Sequence, residues 1–291
     1  MDLSGRRAYG LALVLAASVF WSTAGVFVRL LDLDLWTMQT WRALFGALSL
    51  LLLVAVEHRS RTLLAVRGLG RLGLVAIPIS AVSMICFVAA LKLTTVANVL
   101  VVYATVPFLA AGIAYLWAGE RVGRRTAIAA VVAFLGIVIM TSGATRPGDI
   151  AGGLLSFVMT LTFSILLVMT RRHPGLPMAL INGLAALLCA LACWPLAQSE
   201  VPGPSDLAIL ALFGITTTGL AYLLFLIGGR HIPSSEAGLV GLLDVVLGPL
   251  WVWLAFAEDP GQPALIGGGL VLGSLVWYLL AGTRRPAPAA G

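Results

Sequence analysis

Thr95-Val-Ala-Asn-Val-Leu-Val-Val-Tyr-Ala-Thr-Val-Pro-Phe-Leu-Ala-Ala-Gly-Ile-Ala-Tyr-Leu-Trp-Ala118 runs for 24 residues without a charge. A helix of that length covers about 36 Å, enough to cross a hydrocarbon core of about 30 Å. Nine similar stretches surround it. With it, they cover residues 9–29, 36–56, 70–91, 95–118, 124–142, 150–170, 177–197, 206–228, 234–256 and 262–281. Backbone groups in lipid must be paired within their own segment, so all ten are expected to be helices. The chain is 60% hydrophobic and 10% charged, against about 25% charge in a soluble domain. The expected class is an all-α membrane protein with ten transmembrane helices and no separate aqueous domain.

A net charge of +6 could point to nucleic acid, but its distribution points to topology. Fourteen of the 18 basic residues fall at one side of the expected spans: Arg6, Arg7, Arg59, Arg61, Arg67, Arg71, Arg121, Arg124, Arg125, Arg171, Arg172, Arg230, Arg284 and Arg285. Arg29, Lys92 and Arg146 fall at the other side, and Arg42 lies within a span. The bias places both termini in the cytoplasm. The first apolar run is longer than a signal peptide's, and its small residues sit mid-run, so it reads as a retained helix.

Two halves of the chain correspond. At a shift of 138 residues, Lys92 meets Arg230, Phe87 meets Phe225, Glu120 meets Glu258 and Gly123 meets Gly261. Near the front of each half the shift is 142: Gly10 meets Gly152, Trp21 meets Phe163, Ser22 meets Ser164 and Arg29 meets Arg171. Five spans per half is an odd number, so residues 1–145 and 146–291 would form two inverted five-helix repeats. That architecture belongs to many secondary transporters, with substrate near the midplane. An old duplication without mechanistic meaning is the plain alternative.

Three stretches carry a family resemblance: Trp41-Arg-Ala-Leu-Phe45, the run from Tyr103-Ala-Thr-Val-Pro107 to Trp117-Ala-Gly-Glu120, and the run from Leu242-Leu-Asp-Val-Val246 to Glu258. Over nearly its full length the chain resembles the drug/metabolite transporter superfamily, in its ten-helix EamA-like branch. Where that family often has Glu-Pro, this chain has Asp244-Val245, with Pro249 about one turn later. The resemblance implies a bacterial inner-membrane carrier, usually an exporter, of amino acids or related metabolites. It is most similar to exporters of neutral and aromatic amino acids.

Asp244 sits about 15 Å into its span. An Asp at that depth costs on the order of 2.5–3.5 kcal/mol on insertion scales. It could bind a substrate ammonium or carry a coupling proton, or it could be a structural or water-bathed group. Arg42 could grip a carboxylate with its fork, or serve as a gate or structural ion pair, or snorkel to the headgroups. Trp21, Ser22, Trp41, Tyr103, Phe163 and Tyr222 suit a cavity wall or simple helix packing. Trp36, Trp117, Trp251, Trp253, Trp277 and Tyr278 lie near span ends and read as an interfacial belt. Ser83, Phe87, Asn98 and Thr217 add polarity and aromatic surface to the third, fourth and eighth spans. Those spans and the ninth, joined by the first and sixth, are expected to line the pathway. Pro78, Pro107 and Pro249 are candidate hinges.

Small residues in the fifth span (Ala129, Ala130, Gly136) and the last (Gly267, Gly268, Gly269, Gly273) suggest contact between these two spans within one chain. The small-xxx-small spacing at 269/273 allows close helix contact. Dimerisation through them is the second reading.

Cys86, Cys189 and Cys193 read as core packing. His58, His173 and His231 fall in loops, and no Cys/His spacing suits a metal. No Walker-type phosphate loop occurs. No cofactor or metal is expected, and the energy source would be a gradient. The expected partners are a small-molecule substrate and the bilayer. The main reading is a carrier of neutral or aromatic amino acids. Hydrophobic cations, drugs or nucleosides are alternatives on the same fold. A membrane-embedded enzyme would need a clustered catalytic set within the spans, and a channel would need an oligomeric pore or a ring of charges.

Overall fold

The computed structural model describes residues 3–58, 68–119, 123–142, 148–229, 231–232 and 234–282. Glu120, Arg121, Arg146 and Arg230 lie outside them, as do Arg59, Arg61, Arg67, Arg284 and Arg285. The described residues form helices and short connections: α1 (Leu3–Ser22), α2 (Ala24–Leu30), α3 (Leu35–His58), α4 (Gly70–Leu93), α5 (Val96–Tyr103), α6 (Val106–Ala118), α7 (Arg124–Ser142), α8 (Asp149–Arg172), α9 (Met178–Cys193), α10 (Pro204–Phe213), α11 (Ala221–Gly229), α12 (Ser234–Phe256) and α13 (Gly261–Gly282). A 3₁₀ turn over Trp194–Leu196 follows α9, and a π-helical segment over Gly214–Leu220 joins α10 to α11.

Among the described residues, seven stretches are long and apolar enough to cross a membrane. They are Arg6–Leu30, Leu35–Val56, Gly70–Leu93, Val96–Trp117, Asp149–Arg172, Met178–Leu196 and Pro204–Gly229. The other three expected spans fall on α7, α12 and α13. This is a multi-pass membrane protein. Its outer surface carries large apolar side chains such as Leu116, Phe134, Ile150, Leu254 and Leu265, each more than half exposed. Such a surface suits lipid and would be a liability in water.

Three expected single helices are interrupted, the first two of them for a local reason. The first breaks at Thr23, whose hydroxyl donates to the Phe20 carbonyl at 2.6 Å, a bond that competes with the helical ladder. The fourth breaks at Ala104–Thr105, just ahead of Pro107. Proline has no N–H, and its ring crowds the carbonyl four residues back, that of Tyr103. The eighth contains the π segment. Pro78 and Pro249, by contrast, lie inside continuous helices.

The helices pair as follows. α3 packs along α9, and α7 along α13. α1 packs against α11 and α12, and α8 against α4, α5 and α6. α4 also meets α9, the π segment meets α3, and α5 meets α12. The contact between the fifth and last spans is therefore present, but Gly269 and Gly273 do not make it. A Cβ at either would have nothing within 4 Å. The close approach is between Gly136 and Gly267, where a Cβ on Gly136 would lie 2.6 Å from the Gly267 oxygen. Spacing alone shows that two helices can approach; helix rotation decides which glycine does so.

Candidate functional site

Arg42 lies two turns into α3 and is 6% exposed. Its Nη1 donates to Gln39 Oε1 at 3.4 Å, and its guanidinium stands 4.6 Å from the centroid of the Phe213 ring. Phe213 is fully buried and stacks on Phe27 at 5.0 Å. Gln39 also donates from Nε2 to Cys189 Sγ at 3.0 Å. Arg42 Nε has no hydrogen-bond partner. Gln39, Phe213 and Cys189 surround the guanidinium, and none is acidic. Holding an ion in such a place costs on the order of several kcal/mol, and a cation–π contact returns only about 0.5–2 kcal/mol of that.

Asp244, on α12, is 8% exposed, and its Oδ1 has no hydrogen-bond partner. Its helix packs against α5, which ends at Tyr103. Tyr103, at the end of α5, tilts against Phe163 of α8 with ring centroids 5.5 Å apart. α5 thus contacts both α12, which carries Asp244, and α8, which carries Phe163.

A second aromatic group forms on the first span. Trp21 Nε1 donates to the Thr217 carbonyl at 2.8 Å, and its ring tilts against Phe225 at 5.3 Å. Thr217 sits in the π segment and donates its hydroxyl back to Phe213 O at 2.7 Å. Next to Trp21, Ser22 Oγ accepts from Trp251 Nε1 at 2.9 Å. Trp251 therefore joins the first and ninth spans, where position alone suggested the interfacial belt. Trp117, Trp253 and Trp277 are exposed, as that belt requires. A groove of 570 Å³ runs along Thr23, Val26, Trp251, Leu254 and Ala255. It is an apolar space beside the break at Thr23.

Other expected pathway residues are placed differently. Trp41 packs on Phe45 and Trp194. Ser83 donates to Met159 O at 3.2 Å, tying α4 to α8, and Phe87 packs against the central core. Asn98 Nδ2 donates to Thr94 Oγ1 at 3.0 Å, at the mouth of the bundle. Tyr222 is half-buried near the start of α11, and Asn182 Oδ1, on α9, accepts from Ser80 at 2.9 Å. Asn182 was missed, although it is the one side-chain amide in the apolar run of α9. Gln39 was missed as well, although it stands one helical turn from Arg42. Cys86, Cys189 and Cys193 are free and buried. Among the described residues, no three His, Cys, Asp or Glu side chains come together as a metal site.

The profile of the EamA-like transporter family matches residues 8–142 and again 147–280. A protein of Archaeoglobus fulgidus described as an uncharacterized transporter is 25% identical over 92% of this chain and 95% of its own length. One solved chain, described only as a crystal structure of a protein, superposes with a TM-score of 0.63. It is 20% identical, and the match covers 96% of this chain and 99% of that one. That likeness concerns the fold.

Proposed function

The chain belongs to the EamA-like transporter family, and from that premise we propose a secondary carrier that exports neutral or aromatic amino acids across the bacterial inner membrane by alternating access. Its ten spans form two inverted halves, residues 1–145 and 146–291, with both termini cytoplasmic. Two facts support the repeat. The family profile matches once in each half. The helix pairings also exchange between halves: α1 with α11 and α12 corresponds to α8 with α4 and with α5–α6. Likewise, α3 with the π segment corresponds to α9 with α4.

One observation carries the substrate reading. Arg42 and Asp244 are buried ionisable residues, one basic and one acidic, each with a polar atom that has no partner. A solute with both an anionic and a cationic group supplies the missing partners. Arg42 lies about 10 Å from the Leu35 end of α3, and Asp244 about 18 Å from the Phe256 end of α12. An axial gap of about 8 Å exceeds the spacing of ammonium and carboxylate in one amino acid. The two residues therefore act in turn along the pathway, and the rings of Tyr103 and Phe163 meet an apolar side chain.

Counterflow into proteoliposomes with labelled amino acids tests this. Saturable exchange of neutral or aromatic species, lost in Asp244→Asn, is expected. Folded protein that exchanges no amino acid overturns the amino-acid reading. The acid amid aromatic rings would then favour a hydrophobic cation on the same fold.

A further inference from the structure

Arg29 and Glu258 sit at one mouth of the bundle, and their bonds reach four spans. Arg29 Nε lies 2.5 Å from Glu258 Oε2. Its Nη1 donates to Leu91 O at 2.5 Å and its Nη2 to Thr94 O at 2.8 Å. Glu258 Oε1 accepts the amide of Val96 at 2.8 Å, at the first turn of α5. The side chains are 20% and 10% exposed. All three guanidinium nitrogens are thus used, and the carboxylate meets the positive end of a helix.

We propose that this pair is a latch that closes the transport pathway at its Arg29 end and holds the state seen here. The argument rests on the carrier reading above. Glu258 follows α12, which carries Asp244; Val96 begins α5, which carries Tyr103. The latch therefore clamps these two helices together about 10 Å beyond Tyr103, across the route from Asp244 to that mouth. The elements bearing the latch are suited to movement. α2 is a seven-residue segment set off by the break at Thr23. Ala257, directly before Glu258, has φ of 51°, a left-handed conformation that costs a non-glycine residue.

Thr94 and Lys92 extend the seal. Thr94 Oγ1 donates to Asp149 Oδ1 at 2.7 Å, at the start of α8. Lys92 Nζ donates to Leu33 O at 2.6 Å. Charge alone does not make the latch: a lysine at position 29 could not serve three acceptors in a fixed fork.

The test needs no identified substrate. In a background with Cys86, Cys189 and Cys193 replaced by alanine, Tyr103→Cys serves as a reporter for a membrane-impermeant maleimide applied separately to each face of proteoliposomes. Glu258→Gln and Arg29→Lys should each raise labelling from the Arg29 face on the order of fivefold, and lower it from the opposite face. Thermal melting identifies the folded variants. Unchanged labelling in both folded variants overturns the latch, and so does an equal rise from both faces. If labelling shifts as expected but no amino acid exchanges, the substrate reading fails and the latch stands.

Discussion

Trp21 gives its indole N–H to the carbonyl of Thr217, 2.8 Å away and 196 residues along the chain. The acceptor lies in the π segment, where one extra residue per turn displaces carbonyls from the α-helical ladder. The bond joins a wide turn in the eighth span to the point where the first span breaks. In Trp21→Phe most of the ring area is kept and the N–H is lost. A part-buried carbonyl without a partner costs about 1–3 kcal/mol. The expected result is a melting temperature several degrees lower in detergent, with the protein still folded. An unchanged melting temperature would show that the carbonyl finds water instead.

The contact of α7 with α13 separates two kinds of glycine. Gly136→Val must push a side chain into the Gly267 backbone, since even a Cβ would lie 2.6 Å from that oxygen. Overpacking of this kind costs about 1–3 kcal/mol. Gly273→Ala meets open space and should gain up to about 1 kcal/mol of helix propensity. Melting of the two variants beside the parent checks the contrast. Equal destabilisation by both would mean that Gly273 is also buried, as in a dimer.

Much of the fold was legible because lipid imposes a strong rule: a span must be apolar and about 20 residues long. Trp21 and Tyr103 could be picked out as aromatic residues in mid-span positions. What stayed hidden depends on helix rotation and on breaks in the ladder. Nothing in Gly214-Ile-Thr-Thr-Thr-Gly-Leu220 announces a π turn, because its register is set by packing on α3. Asn98 looked like a pathway amide, yet it faces Thr94. Trp251 looked interfacial by position, yet it reaches Ser22. Asn182 and Gln39 had a usable signal, each being an isolated amide in an apolar helix, where a lone polar group usually has a partner.

Asp34 shows what a connection between spans can contribute. Its Oδ1 accepts the amides of Trp36 at 2.9 Å and Thr37 at 3.0 Å, capping α3. Burial alone would raise its pKa, but hydrogen bonds from Thr37 and Trp36 outweigh it and hold the carboxyl below its usual range. A depressed folded-state value means the stabilisation is present above the unfolded pKa. It is lost as pH falls through the lower folded value, in the acid range. Asp34→Ala should cost about 1 kcal/mol at neutral pH. Melting across pH 3–7 should show parent and variant converging at the acid end.

Arg42→Lys distinguishes a fork-dependent site from a bare charge. Lysine keeps the cation but cannot present two parallel donors, and its ammonium cannot lie flat over the Phe213 ring. If a carboxylate docks there, apparent affinity should fall roughly tenfold, with turnover nearly kept. Initial-rate counterflow against substrate concentration measures both. Unchanged affinity would return Arg42 to a structural role.

Pro107 follows the break that divides the fourth span into α5 and α6. Thr105 stabilises the break by donating its hydroxyl to Val102 O at 2.7 Å, and Tyr103 sits at the end of α5, the helix packed on α12, which carries Asp244. If the break lets α5 move with Tyr103 while α6 stays packed on α8, straightening it should affect rate before stability. Pro107→Ala restores an N–H and removes the ring that crowds the Tyr103 carbonyl, so an unbroken helix becomes accessible. The expected outcome is a melting temperature equal to or above the parent's, with counterflow turnover reduced several-fold and apparent affinity little changed. Pro249→Ala is the comparison, because α12 is continuous through that proline and its removal changes no break. Equal rate losses in the two variants would mean that losing a proline slows transport for reasons unconnected with the break at Ala104–Thr105. Full turnover in Pro107→Ala would show that the break is static.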